Sequence, residues 1–405
     1  MSTLFTNARL FTAESEDIID RGALLVEDGS VRFAGNAEDL KSSTHHVIDL
    51  GGKFLMPGMT ETHAHLSFDD SSPFSIGDSS VEQATITAVG NARLMLNAGF
   101  TSAVSFGSTY AIDVALRNAI NTGKIRGPRL MAAGRDLGAT ASNVDFDGGL
   151  SQIADGPWAV RKAVREQRRL GVDVVKIFID GEAINPTNPP GELSFTNEEV
   201  IAAVDEAHRR NLKVACHARS SAAVRQAVNA GVDFIGHANY LDDETVALLV
   251  EHRERIFIGP AIAWEVQYLA QCESLGISRH TVQAQGYEAE IDATIASVEK
   301  LRAAGIKLVV GGDYGISIAP HGSYAKDLEY FVDLFSMSPA EAIICATKNG
   351  GLMLDPAGTI GTLRSGSVAD FIVVDGDPLQ DITVLQNLDK LDVYQAGSLV
   401  PKALD

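Results

Sequence analysis

The stretch Phe54-Leu55-Met56-Pro57-Gly58-Met59-Thr60-Glu61-Thr62-His63-Ala64-His65 decides the fold and the chemistry predicted for this chain. Its first half is apolar, as in a buried strand, and two histidines end it. Side chains at positions i and i+2 of a strand project from the same face, so the imidazoles of His63 and His65 can converge on one divalent metal. A His-x-His pair alone is a weak signal, and its weight depends on whether further ligands occur downstream in the chain.

Four further polar residues lie at or near the ends of short apolar runs that read as strands. They are Lys176, His217, His237 and Asp313. A single histidine at a strand end is more often a satisfied polar residue than a metal ligand. The chain contains only 10 histidines, however, and four of them occupy predicted strand ends. This coincidence favours a shared metal site.

Composition limits the class of protein. A chain of 405 residues with 45 % hydrophobic and 21 % charged residues is typical of a soluble globular protein, either one large barrel with an appendage or two domains. The net charge of −20 argues against nucleic acid or an anionic membrane as a partner, because both are polyanions. Three scattered cysteines favour a reducing compartment. With no evident signal peptide or spanning apolar run, we expect a cytoplasmic protein.

The middle of the chain, residues 54–358, alternates between strand-like and helical patterns. Eight strand-like segments occur, at 54–60, 101–106, 129–133, 174–179, 213–217, 234–237, 256–259 and 307–311. Eight β–α units with Val- and Ile-rich strands predict an α/β fold of the (β/α)8 TIM-like barrel type. An open doubly wound sheet gives the same alternation, but no Gly-x-Gly-x-x-Gly follows the first strand, which weakens that alternative.

The two ends of the chain have a different pattern, with short strands separated by turns. We therefore predict a small β-sandwich domain assembled from residues 1–53 and 359–405, beside a catalytic barrel of residues 54–358. Barrel enzymes carry their chemistry at the carboxyl ends of the strands, where the predicted ligands lie.

Lys176 interrupts the apolar run Val174-Val175-Lys176-Ile177-Phe178-Ile179. An unpaired ammonium there would carry a heavy desolvation cost. A lysine that extends to the solvent at a sheet edge is the ordinary explanation, but a closed barrel has no edge. Two functional alternatives remain open: a catalytic amine with a lowered pKa, or a lysine converted by CO2 into a carbamate that can bridge two cations.

The motifs at both ends of the predicted barrel resemble those of the amidohydrolase superfamily. The run that ends in His63-Ala64-His65 is similar to the opening barrel strand of that superfamily, and Gly361-Thr362-Leu363-Arg364-Ser365-Gly366-Ser367-Val368-Ala369-Asp370-Phe371 resembles its return into the β-sandwich. The nearest subgroup consists of imidazolonepropionase-like and prolidase-like metal-dependent hydrolases, which include amidases of the ochratoxin amidohydrolase type. The resemblance covers almost the whole chain.

This resemblance implies a binuclear site, with zinc as the expected metal. His63, His65 and Asp313 would hold the more buried ion, and His217 and His237 the more exposed one. N6-carboxylated Lys176 and a hydroxide activated by both ions would bridge them. Asp313 would take the proton of the attacking water and deliver it to the leaving nitrogen. Asp313, Lys176 and His237 are accordingly the expected catalytic residues.

Substrate contacts are predicted from residues near the same strand ends. Prolidase-like relatives often carry His-Ala-Tyr and Gly-Gly-His-Gly where this chain has His217-Ala218-Arg219 and Gly134-Arg135-Asp136-Leu137-Gly138, which argues against simple dipeptidase activity. Arg219 could pair with a substrate carboxylate, although a salt bridge is an equal alternative. Tyr240 and His321 are the other predicted substrate contacts.

The sequence thus favours a metal-dependent hydrolase that cleaves an amide-type C–N bond in an amide, a peptide or an N-acyl amino acid. Hydrolysis of a lactone, carbamate or cyclic amide on the same scaffold is the first alternative. A deaminase is another, but the mononuclear deaminases lack the bridging lysine. A non-catalytic oligomeric scaffold is the third, and it would be expected to lose ligands that this chain retains. We expect a small-molecule or short-peptide substrate and a homo-oligomer.

Overall fold

The structure, a computed structural model, describes residues 2–40, 45–146, 149–185 and 187–402. The strands of these residues are β1 (Ser2–Phe11), β2 (Ile18–Glu27), β3 (Ser30–Asn36), β4 (His46–Asp49), β5 (Phe54–Pro57), β6 (Met59–Ala64), β7 (Phe100–Ser105), β8 (Arg129–Met131), β9 (Asp136–Gly138), β10 (Ser151–Ile153), β11 (Val174–Phe178), β12 (Lys213–Ser220), β13 (Phe234–Tyr240), β14 (Phe257–Gly259), β15 (Lys307–Leu308), β16 (Phe371–Val374), β17 (Leu391–Gln395) and β18 (Ser398–Leu399).

The α-helices follow the strands of the middle segment. They are α1 (Val81–Asn97), α2 (Ile112–Asn121), α3 (Pro157–Leu170), α4 (Asn197–His208), α5 (Ser221–Ala230), α6 (Asp243–Glu251), α7 (Ile262–Gln271), α8 (Arg279–Ala284), α9 (Tyr287–Ala303), α10 (Lys326–Asp333), α11 (Pro339–Ile344) and α12 (Gly350–Leu354). Local sequence fixes several ends. Thr196 and Glu199 form a capping box at the start of α4, and Gly171 ends α3 with a φ of 97°.

The strand predicted at 54–60 divides into two at Gly58. β5 pairs with β1 and β16, in the sheet built from the chain ends, whereas β6 pairs with β7. A β-carbon at Gly58 would lie 2.1 Å from Thr101 Oγ1, so only glycine allows this close approach. The sheet of the chain ends therefore extends to Pro57, past the boundary predicted at residue 53.

The chain ends form one eight-stranded mixed sheet. Its strand order is β18-β17-β16-β5-β1-β2-β3, with β4 paired to β1. Alternation along β5 divides its side chains between two cores: Leu55 packs with Phe5 and Phe371, whereas Phe54 and Met56 join the core of the helices and parallel strands. The two parts of the chain are thus joined through a shared strand.

The middle segment forms two parallel sheets, β6-β7-β8 and β10-β9-β11-β12-β13-β14-β15. This is the predicted α/β alternation, but the ladders paired among the described residues do not close into a barrel. Backbone hydrogen bonds cross the two gaps: Asp173 N and Val174 N both donate to Ala132 O, at 2.8 and 3.2 Å, and Thr62 N donates to Val310 O at 3.1 Å. Among the described residues, no helix is both long enough and apolar enough to cross a bilayer.

Close packing at the second gap predicts a sharp difference between two glycine substitutions. A β-carbon at Gly311 would lie 2.7 Å from the backbone nitrogen of His63 and 2.8 Å from Thr62 Oγ1, so Gly311→Ala should lower the free energy of unfolding by about 2 kcal/mol. Gly90 lies on the exposed side of α1 with nothing within 4 Å of its β-carbon position. Gly90→Ala should be neutral or stabilising by about 1 kcal/mol. Denaturant unfolding measures both, and equal effects of the two substitutions would contradict the close approach at Gly311.

Candidate metal centre and active site

The first group of potential metal ligands combines the end of β6 with the segment after β15. Ligand atoms of His63, His65 and Asp313 all lie within 4.8 Å of one another. His65 Nε2 lies 3.0 Å and His63 Nε2 lies 3.8 Å from Asp313 Oδ1. Residues that are 248 or more positions apart in sequence thus meet at one end of the parallel strands, as predicted.

The second group adds a residue that sequence reasoning missed. Ligand atoms of His217, His237 and Glu182 also lie within 4.8 Å of one another. His217 is on β12, His237 is on β13, and Glu182 follows β11, with its Oε1 3.5 Å from His217 Nδ1. The signal that could have identified Glu182 is its place just after a buried strand, in the same position relative to the sheet as the histidines.

The two groups are neighbours. The ring centroids of His63 and His237 are 5.2 Å apart, and those of His217 and His237 are 4.3 Å apart. Such a cluster of imidazoles is costly to bury unless the rings stay neutral, and burial lowers the pKa of His63, His217 and His237 well below the usual value. Neutral imidazoles keep a lone pair available for a metal.

Within the part of the chain that the structure describes, several imidazole nitrogens of the candidate ligands have no hydrogen-bond partner, as expected for residues that bind a metal. Nδ1 of His63 and both ring nitrogens of His237 are buried and have no hydrogen-bond partner among the described residues. Nδ1 of His65 lies 3.0 Å from Gly107 O, a contact that orients its Nε2 toward Asp313. Buried polar atoms are normally paired, so this donor set fits bound cations.

Backbone conformation is unusual at two of these residues. His237 has a φ of 80° and Asp313 a φ of 61°, in the left-handed region that non-glycine residues seldom adopt. Such conformations cost free energy and persist where the surrounding structure enforces them, frequently at functional sites. Here they place an imidazole and a carboxylate among the other ligand atoms.

Asp313 is held as a carboxylate. Burial acts to raise its pKa, but the electrostatic interaction with the His63 imidazole and the hydrogen bond with His65 outweigh this effect and lower the pKa below its usual range. An ionised carboxylate beside two imidazoles is suited to bind a cation.

Lys176 lies in the middle of β11 with 1 % of its surface exposed. Its Nζ lies 3.3 Å from Phe106 O and 4.6 Å from the centre of the Phe106 ring. One carbonyl and a ring face leave most of the hydrogen-bonding capacity of an ammonium unused. The amine lines the same cavity as the four histidines.

This cavity has a volume of about 470 Å³, a size typical of small-molecule sites. Its walls are largely apolar and aromatic, and they come mainly from loops. The apolar lining residues are Phe68, Pro73, Phe74, Ile76, Val144, Phe146, Leu150, Phe178, Ile184, Trp264 and Ile316. Those lining residues that lie in loops are hard to identify from sequence, because apolar residues in loops have no periodicity that marks them.

The structure does not bring the three predicted substrate contacts into the cavity lining. His321 Nδ1 lies 2.7 Å from Tyr324 Oη, and its Nε2 lies 3.2 Å from Phe68 O. Tyr240 is half-buried at the end of β13, near Glu290. Each of these side chains, like Arg219, is outside the lining.

Arg219 has 1 % of its surface exposed and is surrounded by acidic groups. Its Nη1 donates to Glu290 and, at 3.1 Å, to Glu265 and to Asn239, while its Nη2 donates to Glu182 at 3.3 Å. The salt bridge that was the alternative to a substrate contact is therefore present. Of the two alternatives left open for Arg219, the structure thus favours the salt bridge, because its guanidinium is already bound to carboxylates, one of which, Glu182, lines the cavity.

Comparison with known proteins gives the family. The family model described as the amidohydrolase family matches residues 54–399. The chain belongs to this family. Ochratoxinase of Aspergillus niger is 30 % identical over 93 % of this chain and 82 % of its own length. Imidazolonepropionase of Sphingopyxis alaskensis is 23 % identical over 94 % of this chain and 93 % of its own.

Solved structures of amidohydrolase relatives agree with this membership. The crystal structure of A. niger ochratoxinase matches with a TM-score of 0.86 at 27 % identity, covering 98 % of this chain and 95 % of that chain. A prolidase complexed with N-methylphosphonate-L-proline matches with a TM-score of 0.89 at 25 % identity over 100 % of both chains. The resemblance seen in the sequence is confirmed.

One guanidinium, that of Arg219, faces three carboxyl groups, so we expect the stability of the folded protein to depend on pH. Burial and the charge of Glu290 raise the pKa of Glu265 above its ordinary value of 4.5. The folded state therefore keeps a proton on Glu265 at pH values at which the unfolded state has released it. The stability that this proton contributes is fully present below the pKa of the unfolded state and is lost as the pH rises through the raised pKa of the folded state. Glu265→Gln cannot titrate. As the pH rises from about 5 to about 8, the wild type should lose stability that the variant keeps. The free energy of unfolding of Glu265→Gln minus that of the wild type should therefore increase by about 1 kcal/mol or more.

Denaturant unfolding at several pH values measures this difference. The exposed Glu273, also changed to glutamine, is the control and should follow the wild type at each pH. A pH-independent difference between Glu265→Gln and the wild type would show that Glu265 is ionised in the folded protein.

Proposed function

We propose that this chain is a binuclear metal-dependent hydrolase of an amide-type C–N bond in a small molecule. The observation that carries the proposal is the adjacency of two three-residue ligand groups at the carboxyl ends of parallel strands, on the floor of one apolar cavity. Relatives named ochratoxinase and prolidase support the choice of an amide-type bond.

We infer that the two parallel sheets are parts of one (β/α)8 barrel of residues 54–358, with the chain ends as a second domain. The hydrogen bonds at Val174–Ala132 and Thr62–Val310 support this inference, because they continue the strand order across both gaps. A barrel would explain why ligands from β6, β12 and β13 meet at a single point.

The cations would be held by the residues already described. His63, His65 and Asp313 would bind one ion, and His217 and His237 would bind the second, with Glu182 beside them. Two divalent ions, which we propose to be zinc, supply an activated water and a polarised scissile carbonyl when bound.

We propose that Lys176 is carboxylated and contributes to both positions. Its neutral amine would form a bond to the carbon of CO2 and lose one proton, which gives an anionic carbamate. A carbamate replaces an ammonium that the surroundings of Phe106 and Phe178 solvate poorly. It also places an anion where cations are to be held.

Asp313 is proposed to move the proton. Its carboxylate lines the cavity beside the His65 imidazole, with Oδ1 3.0 Å from Nε2, and there it would accept a proton from the attacking water. It would then give that proton to the nitrogen as the C–N bond breaks. The aromatic walls, with Phe68 and Phe178 against the histidine rings, would exclude bulk water from these steps.

Metal analysis tests the binuclear proposal. Protein expressed with ample zinc should carry about two metal equivalents per chain, and Lys176→Met should carry about one or fewer and lose at least about 10²-fold in kcat/KM. Incubation of the wild type with carbon-13 bicarbonate should give the NMR signal of a carbamate. Lys124→Met, at an exposed lysine, is the matched control and should keep both ions. A metal-free wild type would contradict the proposal, as would a Lys176→Met variant with two ions and full activity.

Removal of the proton carrier tests the role of Asp313. Asp313→Asn should lower kcat by about 10²–10⁴-fold, because an amide cannot accept and return the proton. Metal content, measured on the same samples, separates loss of proton transfer from loss of an ion. Asp292→Asn, on the exposed side of α9, should leave kcat unchanged. Retention of wild-type kcat in Asp313→Asn would assign the proton transfer to another group.

A further inference from the structure

We propose that the substrate is an uncharged aromatic amide, one that carries no carboxylate. This inference rests on the proposed function and narrows it to a substrate class. Three observations support it: the aromatic walls of the cavity, the sign of its ionisable groups, and the engagement of the nearby guanidinium.

Aromatic side chains surround the cavity from floor to rim. Phe68 stacks on the ring of His65 with centroids 4.5 Å apart, and Phe178 stacks on His217 at 3.8 Å, which makes the surroundings of the candidate ligands apolar. At the rim, Phe74 is 62 % exposed and Phe146 is 43 % exposed. Large exposed aromatic residues around a cavity favour a ligand that covers them with apolar rings.

The ionisable groups of the lining are almost all acidic. Apart from the histidines, the described lining residues that can carry charge are Asp78, Asp136, Glu182, Asp313 and Lys176. Lys176 is the only basic residue of this set, and the proposed function turns it into an anion. A substrate carboxylate would be desolvated among apolar and acidic walls without a protein cation to pair with, which is costly.

Asp136 is a further acidic residue of the cavity lining. It is buried, and its Oδ1 has no hydrogen-bond partner among the described residues. A further buried carboxylate in the lining adds to the acidic character that disfavours an anionic group in the cavity. The scissile carbonyl is assigned to the proposed ions, so a carboxylate on the same molecule would need a cation elsewhere on the wall.

Arg219 does not provide that cation. Both terminal nitrogens of its guanidinium donate to glutamates, and the side chain is outside the cavity lining. Turning it toward the cavity would leave Glu290 buried without its cation, and breaking a buried ion pair in this way is strongly destabilising. The arrangement therefore does not adapt readily to an anionic substrate.

Matched substrates test the proposal. N-Benzoyl-L-phenylalanine and N-(2-phenylethyl)benzamide share both rings and the amide and differ by one carboxylate, and 4-acetamidobenzoate and acetanilide form a second such pair. We expect kcat/KM to be at least about tenfold higher for the uncharged member of each pair. A higher kcat/KM for the carboxylates would overturn the inference and leave the proposed function standing. Hydrolysis of none of the four, by protein with both ions bound, would overturn the proposed function and the inference with it.

A charge reversal at the cavity mouth gives a second test. Asp78 is an exposed member of the lining, so Asp78→Lys should fold normally and bring a cation close to an entering carboxylate. For each substrate pair, kcat/KM of the uncharged member divided by kcat/KM of the carboxylate should be about threefold lower in Asp78→Lys than in the wild type. This decrease should be smaller at high salt, because salt screens the charges. Asp292→Lys, which makes the same charge change on α9, should leave the ratio as in the wild type. An unchanged ratio in Asp78→Lys would show that charge in the cavity does not set the preference.

Discussion

The contact between His65 and Asp313 joins the ends of the first and the last parallel strands of the middle segment. It spans the same gap at which Thr62 donates to Val310 and at which Gly311 approaches the backbone of His63. The ladders alone leave this gap unpaired, so the packing of the gap and the geometry of the candidate site depend on the same few atoms. A cation shared by His63, His65 and Asp313 would therefore also hold the two strands together, and its binding would add to folding free energy.

The second half of the site depends on a buried charge network. Glu182 Oε1 lies near both His217 Nδ1 and Arg219 Nη2, so one carboxylate links a candidate ligand to the guanidinium. Arg219 in turn is fixed by Glu265 and Glu290 from α7 and α9. Burying one cation among several carboxylates is expensive, and apolar side chains of similar volume would give more stability. The network is better explained as a device that fixes the position of Glu182 than as a source of stability.

Those parts of the molecule that follow backbone periodicity could be predicted from the sequence. His63 and His65 share a face because strand side chains alternate. His217 and His237 lie on strands and Asp313 follows one, and the carboxyl ends of these strands meet. The break at Gly58 could not be read from the apolar run, because it depends on the approach of Thr101 from a distant strand. Glu182 and the phenylalanines of the cavity loops were missed, because side-chain direction in loops has no sequence period. The sequence left two alternatives open for Arg219 for a related reason. Its position two residues after His217 gives the face of the strand, but carboxylates from three other segments determine where its guanidinium lies.

The excess of carboxylates over basic groups connects cation binding to substrate choice. A site that is to hold two divalent ions must supply anionic ligands, and here Asp313 lies among the imidazoles, with Asp136 and Glu182 close by in the lining. If two divalent ions are bound, these carboxylates would neutralise much of their positive charge. That charge would then be less able to attract an anionic substrate. Selectivity would then require a dedicated cation on the wall, and in the described lining the residue with that potential is Lys176, whose proposed carboxylation removes it. A site of this composition would be matched to two cations by charge and to its substrate by apolar surface, which would leave recognition to the rings of Phe68, Phe74, Phe146 and Trp264.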